Sequence, residues 1–395
     1  MTSSLDVDRL RAETLGCVGV NHLNNAGAAL QPFAVTDAVV DHLHLEGKVG
    51  GYEAQAEATE RLQAAYTSVA TLVGARPEQI AMVESASEGW SRGFSAIAFT
   101  RPFTRSDRIL VSSAEYASNV LPILQVAKAS GASIEFIPDD QHGCVDVQAF
   151  AGMLGPDVTL VAITHCPSQN GLINDVAGIG AALAGSDAWY IVDGCQSVGQ
   201  IPVDAAAIGA DFLTATGRKW LRGPRGTGFL YASERALNEL EPFPLDLHSA
   251  TWLSDGYDIA AGARRFEYWE KSYAAVLGLG AAVDYALHWG IEALRDRIQA
   301  LAGRARSGLA GVPGVTVRDR GLTQSGIVTF THDRIPAREV VAAIKSAGIN
   351  VSLSTPDYAR RDFEAHGVDG LVRVSPHAYN SEAEVDALVA VVADA

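Results

Sequence analysis

The chain has 395 residues, with 30 Lys and Arg against 46 Asp and Glu, for a formal net charge of −16. Hydrophobic residues make up 48% and charged ones 19%, the balance of a packed globular protein rather than a disordered one. The acidic total leaves no net positive field for a nucleic-acid backbone, and no apolar run reaches the ~18–20 residues that cross a bilayer.

The first residues, MTSSLDVDRLRAE, mix polar and charged side chains without an apolar signal core. The four cysteines, Cys17, Cys144, Cys166 and Cys195, form no CxxC pair and read as reduced thiols of a cytoplasmic protein, with no metal site. In DHLHLEG, His42 and His44 stand two apart, which on a helix points them to different sides; a solvated helix face is the expected reading. From about residue 79 to 233, short apolar runs alternate with helical ones. The predicted strands are 78–85, 107–113, 133–138, 159–165, 188–194, 211–217 and 227–233. Their continuous apolar character suits strands covered on both faces, so the fold class is α/β with a mainly parallel sheet. Ligands of such sheets bind where the strands end at their carboxyl side.

After residue 245 the pattern changes. EPFPLDLHSATWLSDGYD reads as a loop, and one long helix is predicted from Tyr273 to Leu309. The runs VTVRD, GIVTFTH, INVSLS and LVRVSP then alternate with two helical segments. The division is a large domain over 22–250, and a smaller α/β domain over 251–395 joined by residues 1–21.

Among the motifs, the pairs Gly178/Gly180 and Gly278/Gly280 lack the third glycine of a dinucleotide fingerprint and are explained by close helix packing. GWSRG (89–93) matches a nucleophile elbow and would make Ser91 the nucleophile of a serine hydrolase. The preceding strand ends near Ser85, however, which puts Ser91 about two turns into a helix. The segment from Asp193 to Lys219 carries more. An acid at one strand end and an amine after another are what pyridoxal phosphate needs: the amine holds the aldehyde, and the acid keeps the ring nitrogen protonated. At about 4 Å and an effective dielectric near 20, such a pair is worth on the order of 4 kcal/mol, enough to raise the ring-nitrogen pKa by up to about three units.

The stretch VDGCQSVGQIPVDAAAIGADFLTATGRKWLRGPRGTGFLY (192–231) resembles the class V aminotransferases, a family of pyridoxal 5′-phosphate enzymes that includes cysteine desulfurases, isopenicillin N epimerase-like proteins and hercynylcysteine sulfoxide C–S lyases. The similarity runs from NHLNNAGAALQP (21–32) to RVSPHAYNSEAEVDALV (373–389). It implies fold type I and a homodimer with sites at the subunit interface. By position, Lys219 looks like the Schiff-base lysine and Asp193 like the pyridinium partner. Gln196 looks like the donor to the ring's phenolic oxygen, with Ser168 or Gln169 nearby. ESASEGW (84–90) resembles the phosphate turn, offering Ala86 and Ser87, with Thr216 and Arg218 completing the cradle. Tyr116 takes the place over the ring where relatives often have a histidine. Asn25, Asn119 and Arg373 correspond to substrate-binding positions, Arg373 toward the α-carboxylate.

Departures from the family narrow the expected reaction. Desulfurases carry a persulfide-forming cysteine in the region that here reads GINVSLSTPDYARRDF (348–363), and no cysteine follows Cys195. In RFEYWEKSY (265–273), Glu270 stands where a threonine is common, and is expected to pair with Arg218, Arg222 or Arg225. The reading is a C–S lyase acting by β-elimination on a cysteine conjugate or its sulfoxide. The alternatives are an epimerase, an aminotransferase or a decarboxylating oxidative deaminase of an S-linked amino acid.

Overall fold

The structure is a computed structural model that describes residues 5–395; residues 1–4 of the N-terminal segment assigned to the smaller domain lie outside it. All seven predicted strands form and join one sheet. They are β1 (Ile80–Val83), β2 (Arg108–Val111), β3 (Ser133–Phe136), β4 (Val158–Thr164), β5 (Trp189–Asp193), β6 (Phe212–Thr216) and β7 (Gly228–Ala232), in the order β1-β7-β6-β5-β4-β2-β3. Neighbours are parallel except β7, which runs antiparallel to both β1 and β6. Strands β4 to β7 are buried at every position, as their unbroken apolar runs require, whereas β3 at the sheet edge is not. Two clusters of buried side chains cover the two faces of the sheet, with Phe150, Val161 and Tyr190 in one and Trp90, Phe94, Ile109 and Phe212 in the other.

A four-stranded antiparallel sheet, Val315–Val317, Val328–His332, Leu371–Val374 and Ser352–Ser354 in that order, forms a separate layer with its own core. The N-terminal segment docks on it: Asn21–His22 pairs in parallel with Ile349–Asn350, and Arg11 forms an ion pair with Glu384.

Three expectations change. The single helix over 273–309 is two, Tyr273–Trp289 and Ile291–Ala310, bent by 82° at Gly290, whose φ of 82° no helix accepts. The segment read as a loop after residue 245 contains a hairpin, Ala250–Leu253 with Gly256–Ile259. His42 is fully buried beside Glu46 rather than on a solvated face. The glycine pairs do serve close packing: a Cβ on Gly180 would meet the Ile208 carbonyl oxygen at 1.8 Å, and one on Gly280 would meet Ala65 at 2.7 Å.

Candidate active site

One pocket collects the segments that leave the carboxyl ends of the parallel strands. Ser85–Ser87 follow β1, Tyr116 and Asn119 follow β2, Thr164, Cys166 and Ser168 lie at the end of β4, Asp193–Gln196 end β5, and Thr216–Lys219 end β6. The 26-residue interval from Asp193 to Lys219 is one strand–helix–strand unit, so two adjacent parallel strands bring the acid and the amine to the same end of the sheet.

Helix α1 (Ala86–Thr100) opens on this pocket. Ser85 caps it, its hydroxyl accepting from the Glu88 N–H at 3.1 Å, which leaves the first-turn N–H groups of Ala86 and Ser87 without intrahelical partners. The β7 residue behind that turn is Gly228. A Cβ there would lie 2.6 Å from the Ala215 carbonyl oxygen, 2.9 Å from the Ser85 carbonyl carbon and 3.1 Å from the Ala86 nitrogen, so only glycine admits the turn. A free helix N-terminus, an amine at Lys219 and an acid at Asp193 form a donor set that fits a phosphorylated pyridine aldehyde.

Asp193 is 5% exposed and fixed at both oxygens: Oδ1 accepts the Cys195 N–H and Oδ2 the Asn119 amide, each at 2.8 Å. Lys219 Nζ lies 3.2 Å from Cys195 Sγ, whose pKa burial pushes up although Lys219 draws it down. Tyr116 caps helix α2 (Ala117–Ser130) and stacks on Tyr358, ring centroids 6.3 Å apart and planes 7° from parallel. Burial raises the Tyr116 phenol further above its ordinary value, so at neutral pH it is an O–H donor. Arg373 gives Nη1 to the Ser168 carbonyl and Nη2 to Asn24 Oδ1, while its buried Nε has no partner; burial lowers the guanidinium pKa to about 10.

Several expected contacts are made to protein instead. Asn25 is fully buried and ties the N-terminal segment to the Ser375 carbonyl at 2.8 Å; Asn24, one residue earlier, is the asparagine beside Arg373. Asn119 lines the pocket, but its amide is given to Asp193 and Glu115 rather than outward to substrate. Gln169 donates to Asp362 at 3.2 Å and lines a neighbouring cleft, which leaves Ser168 as the pocket residue of that pair. Gln196 does line the pocket, its amide oxygen held by Trp220 Nε1 and its nitrogen given to the Ala26 carbonyl. Thr216 and Arg218 line it too, with the hydroxyl on the Thr227 carbonyl and the guanidinium on the Gly27 carbonyl.

Glu270 is exposed and pairs with none of the three arginines. The acid of that loop that matters structurally is Glu267, 1% exposed, which accepts from Tyr66, from Lys271 and from the Met82 N–H. Ser91 is the sixth residue of α1, not on a strand-to-helix turn, so the geometry of a nucleophile elbow is absent. Sequence reasoning missed Glu115, Asn24 and Tyr358. Glu115 alone left a signal, a charge directly after an apolar strand.

The chain is similar to known proteins over nearly its whole length. The family Aminotransferase class-V matches residues 21–388. A probable cysteine desulfurase of Methanothermobacter thermautotrophicus is 29% identical over 376 residues, covering 93% of this chain and 92% of the relative. The apo structure of a cysteine desulfurase from Thermococcus onnurineus NA1 superposes with a TM-score of 0.91 at 26% identity, covering 100% and 99% of the two chains. The cysteine desulfurase CsdA of Escherichia coli superposes equally well, at 25% identity and over 99% and 98%. With a free helix N-terminus, an amine and a buried acid on one pocket, the chain belongs to the class V aminotransferases and is an enzyme that uses pyridoxal 5′-phosphate.

Proposed function

We propose that the enzyme is a C–S lyase that eliminates the sulfur substituent of a cysteine conjugate, or of its sulfoxide, across the Cα–Cβ bond. One observation carries the reading. Residues 348–363, where desulfurases hold their persulfide-forming cysteine, contain none; that segment instead brings Tyr358 onto Tyr116. A tyrosine can hand a proton to a departing sulfur but cannot keep the sulfur as a persulfide.

Bound pyridoxal phosphate supplies an electrophilic aldehyde and an electron sink. The chain would supply the rest. The Ala86 and Ser87 N–H groups would hold the phosphate at the positive end of α1, with Thr216 and Arg218 completing the cradle. Asp193, held at both oxygens, would serve the ring nitrogen, and Gln196 and Ser168 would serve the ring's phenolic oxygen. Arg373 uses its planar fork, including the unpartnered Nε, to bind the substrate α-carboxylate. Lys219 would anchor the cofactor until the substrate amine displaces it and, as the freed amine, would take the Cα proton. Tyr116, protonated at neutral pH, donates to the leaving sulfur. The Cα–H and Cβ–S bonds break, and a carbon–carbon double bond forms. The released enamine takes up water to give pyruvate and ammonium, beside a thiol from a thioether or a sulfenic acid from a sulfoxide.

The four free thiols support a reducing, cytoplasmic setting. Exposed Trp252, Tyr257, Tyr268 and Trp269 near the Glu267 loop support a homodimer interface there. The test is incubation of the holoenzyme with S-alkyl and S-aryl cysteines and their sulfoxides. Pyruvate and thiol in equal amounts are expected from the thioethers. Alanine and sulfide from free cysteine, with no pyruvate from any conjugate, would replace this reading with desulfuration. A changed Cα configuration without elimination would replace it with epimerisation.

A further inference from the structure

Behind Asp193 lies a second buried acid that the reaction above does not use. Glu115 stands between β2 and α2, 3% exposed, and accepts four hydrogen bonds. Ser112 Oγ (2.6 Å) and the Thr164 N–H (2.9 Å) reach Oε2; Thr164 Oγ1 (2.6 Å) and Asn119 Nδ2 (2.7 Å) reach Oε1. The same Asn119 nitrogen gives its other hydrogen to Asp193 Oδ2 at 2.8 Å. One amide thus bridges two carboxylates, and both of its hydrogens are committed.

That bridge has one orientation. Turning the Asn119 amide over would set its carbonyl oxygen against both acids at once. With its Oε1 occupied only by donors, Glu115 therefore dictates which end of the amide Asp193 meets. The titratable groups facing Glu115 are Asp193 and the buried Tyr190 phenol, and no cation among the described residues pairs with it. Burial is the main influence on its carboxyl and raises it to about 7, against the pull of its Ser112, Thr164 and Asn119 donors.

We propose that Glu115 is a positioning residue: through Asn119 it holds Asp193 Oδ2 in place for the cofactor's ring nitrogen. This rests on the reading of Asp193 as the partner of that nitrogen. Glu115→Gln tests it with a change of few atoms. The Thr164 N–H cannot reverse, so the glutamine oxygen must stay on it, which turns the new NH₂ toward Asn119. Asn119 can answer only by flipping, and then presents its oxygen to Asp193.

The measurement is the dissociation constant of two probes for the full chain freed of cofactor, pyridoxal phosphate and its 1-deaza analogue, which has carbon in place of the ring nitrogen. Glu115→Gln is expected to weaken pyridoxal phosphate about tenfold and the deaza analogue less than twofold, the loss being one charge-assisted hydrogen bond's orientation. Asn119→Ala should reproduce this pattern, and the double variant should add nothing to either single one. Equal weakening of both probes in the two single variants, or additive losses, overturns the proposal in favour of a structural role. Asp193→Asn separates the two levels. If it too leaves the ratio of the probes unchanged, the assignment of Asp193 has failed. If it changes the ratio and Glu115→Gln does not, only the role of Glu115 has failed.

Discussion

Gly228→Ala is the substitution whose consequence can be worked most directly from the structure. The new methyl would sit 2.6 Å from the Ala215 carbonyl oxygen, about 0.8 Å inside the distance at which ordinary contact begins, and 2.9 Å from the Ser85 carbonyl carbon. Residue 228 is paired with Val83 on one side and Thr216 on the other, so the strand cannot slide to relieve the clash. Relief must come from the Ser85–Ala86 turn, the turn whose N–H groups are proposed to bind the phosphate. Overpacking of this size costs about 1–3 kcal/mol, less than the ~5–15 kcal/mol that keeps a domain folded. The chain should therefore fold and lose its phosphate site. If most of that cost falls on the bound state, pyridoxal phosphate binds about 10- to 100-fold more weakly. Titration of the cofactor-free chain, followed by absorbance, gives the constant. Pyridoxal, which lacks the phosphate, should bind the variant and the parent within about twofold. Gly256→Ala, with nothing within 4 Å of its Cβ, is the control. Unchanged affinity for pyridoxal phosphate, or an equal loss for pyridoxal, would refute the placement of the phosphate on this turn.

Cys195→Ala should retain pyruvate formation from cysteine conjugates within about threefold, because the thiol beside Lys219 has no part in elimination; loss of all turnover together with a persulfide on Cys195 in the parent would show that it relays sulfur. Tyr116→Phe should keep cofactor affinity while turnover falls about 10²–10⁴-fold for alkyl thiol leaving groups and far less for acidic aryl thiols, measured as kcat on a leaving-group series. Since burial raises the Tyr116 phenol, its proton is retained as pH climbs through the usual tyrosine range, and any alkaline fall in kcat below pH 10 must come from another group. Glu267→Gln should destabilise by about 3–5 kcal/mol by leaving Lys271 without its buried partner, read in denaturant unfolding. Burial pushes the Glu267 carboxyl up, but His248, Lys271 and the Met82 N–H hold it below the ordinary value. The parent should accordingly lose this contribution only as pH falls below the usual carboxylate range, and the variant should show a shallower acid limb.

Much of the site was legible because it depends on neighbours in sequence. The strands β1 to β7 were marked by apolar runs, and a parallel sheet presents its ligand where those runs stop. Asp193 and Lys219 are each within a few residues of such a stop, so their meeting followed from topology alone. The helix break at Gly290 was less visible, since an isolated glycine in a helical run is ordinarily tolerated and only its φ of 82° reveals the turn. The exposed Glu270 and the buried Glu267 lie three residues apart in one irregular loop, where no period tells which side faces inward.

The residues whose polar groups are already committed within the protein share a chemistry. Asn25, Asn119 and Gln169 are amides, and each was expected to reach a ligand because the family resemblance puts it at a binding position. An amide buried in a dry interior must satisfy its donors, and the first partner of suitable geometry takes them. Those partners, the Ser375 carbonyl, Glu115 with Asp193, and Asp362, come from segments far away in the chain for two of the three, so nothing local could announce them. The groups that remain available to a ligand are of another kind. The N–H groups of Ala86 and Ser87 are free because a helix start always leaves them so. Arg373 keeps an unpartnered Nε because a guanidinium has five hydrogens and its surroundings offer only a carbonyl and an amide oxygen. Sequence therefore locates a ligand most securely where the backbone or a surplus of donors guarantees an unmet bond. An amide's role follows only once its competitors for that bond are known.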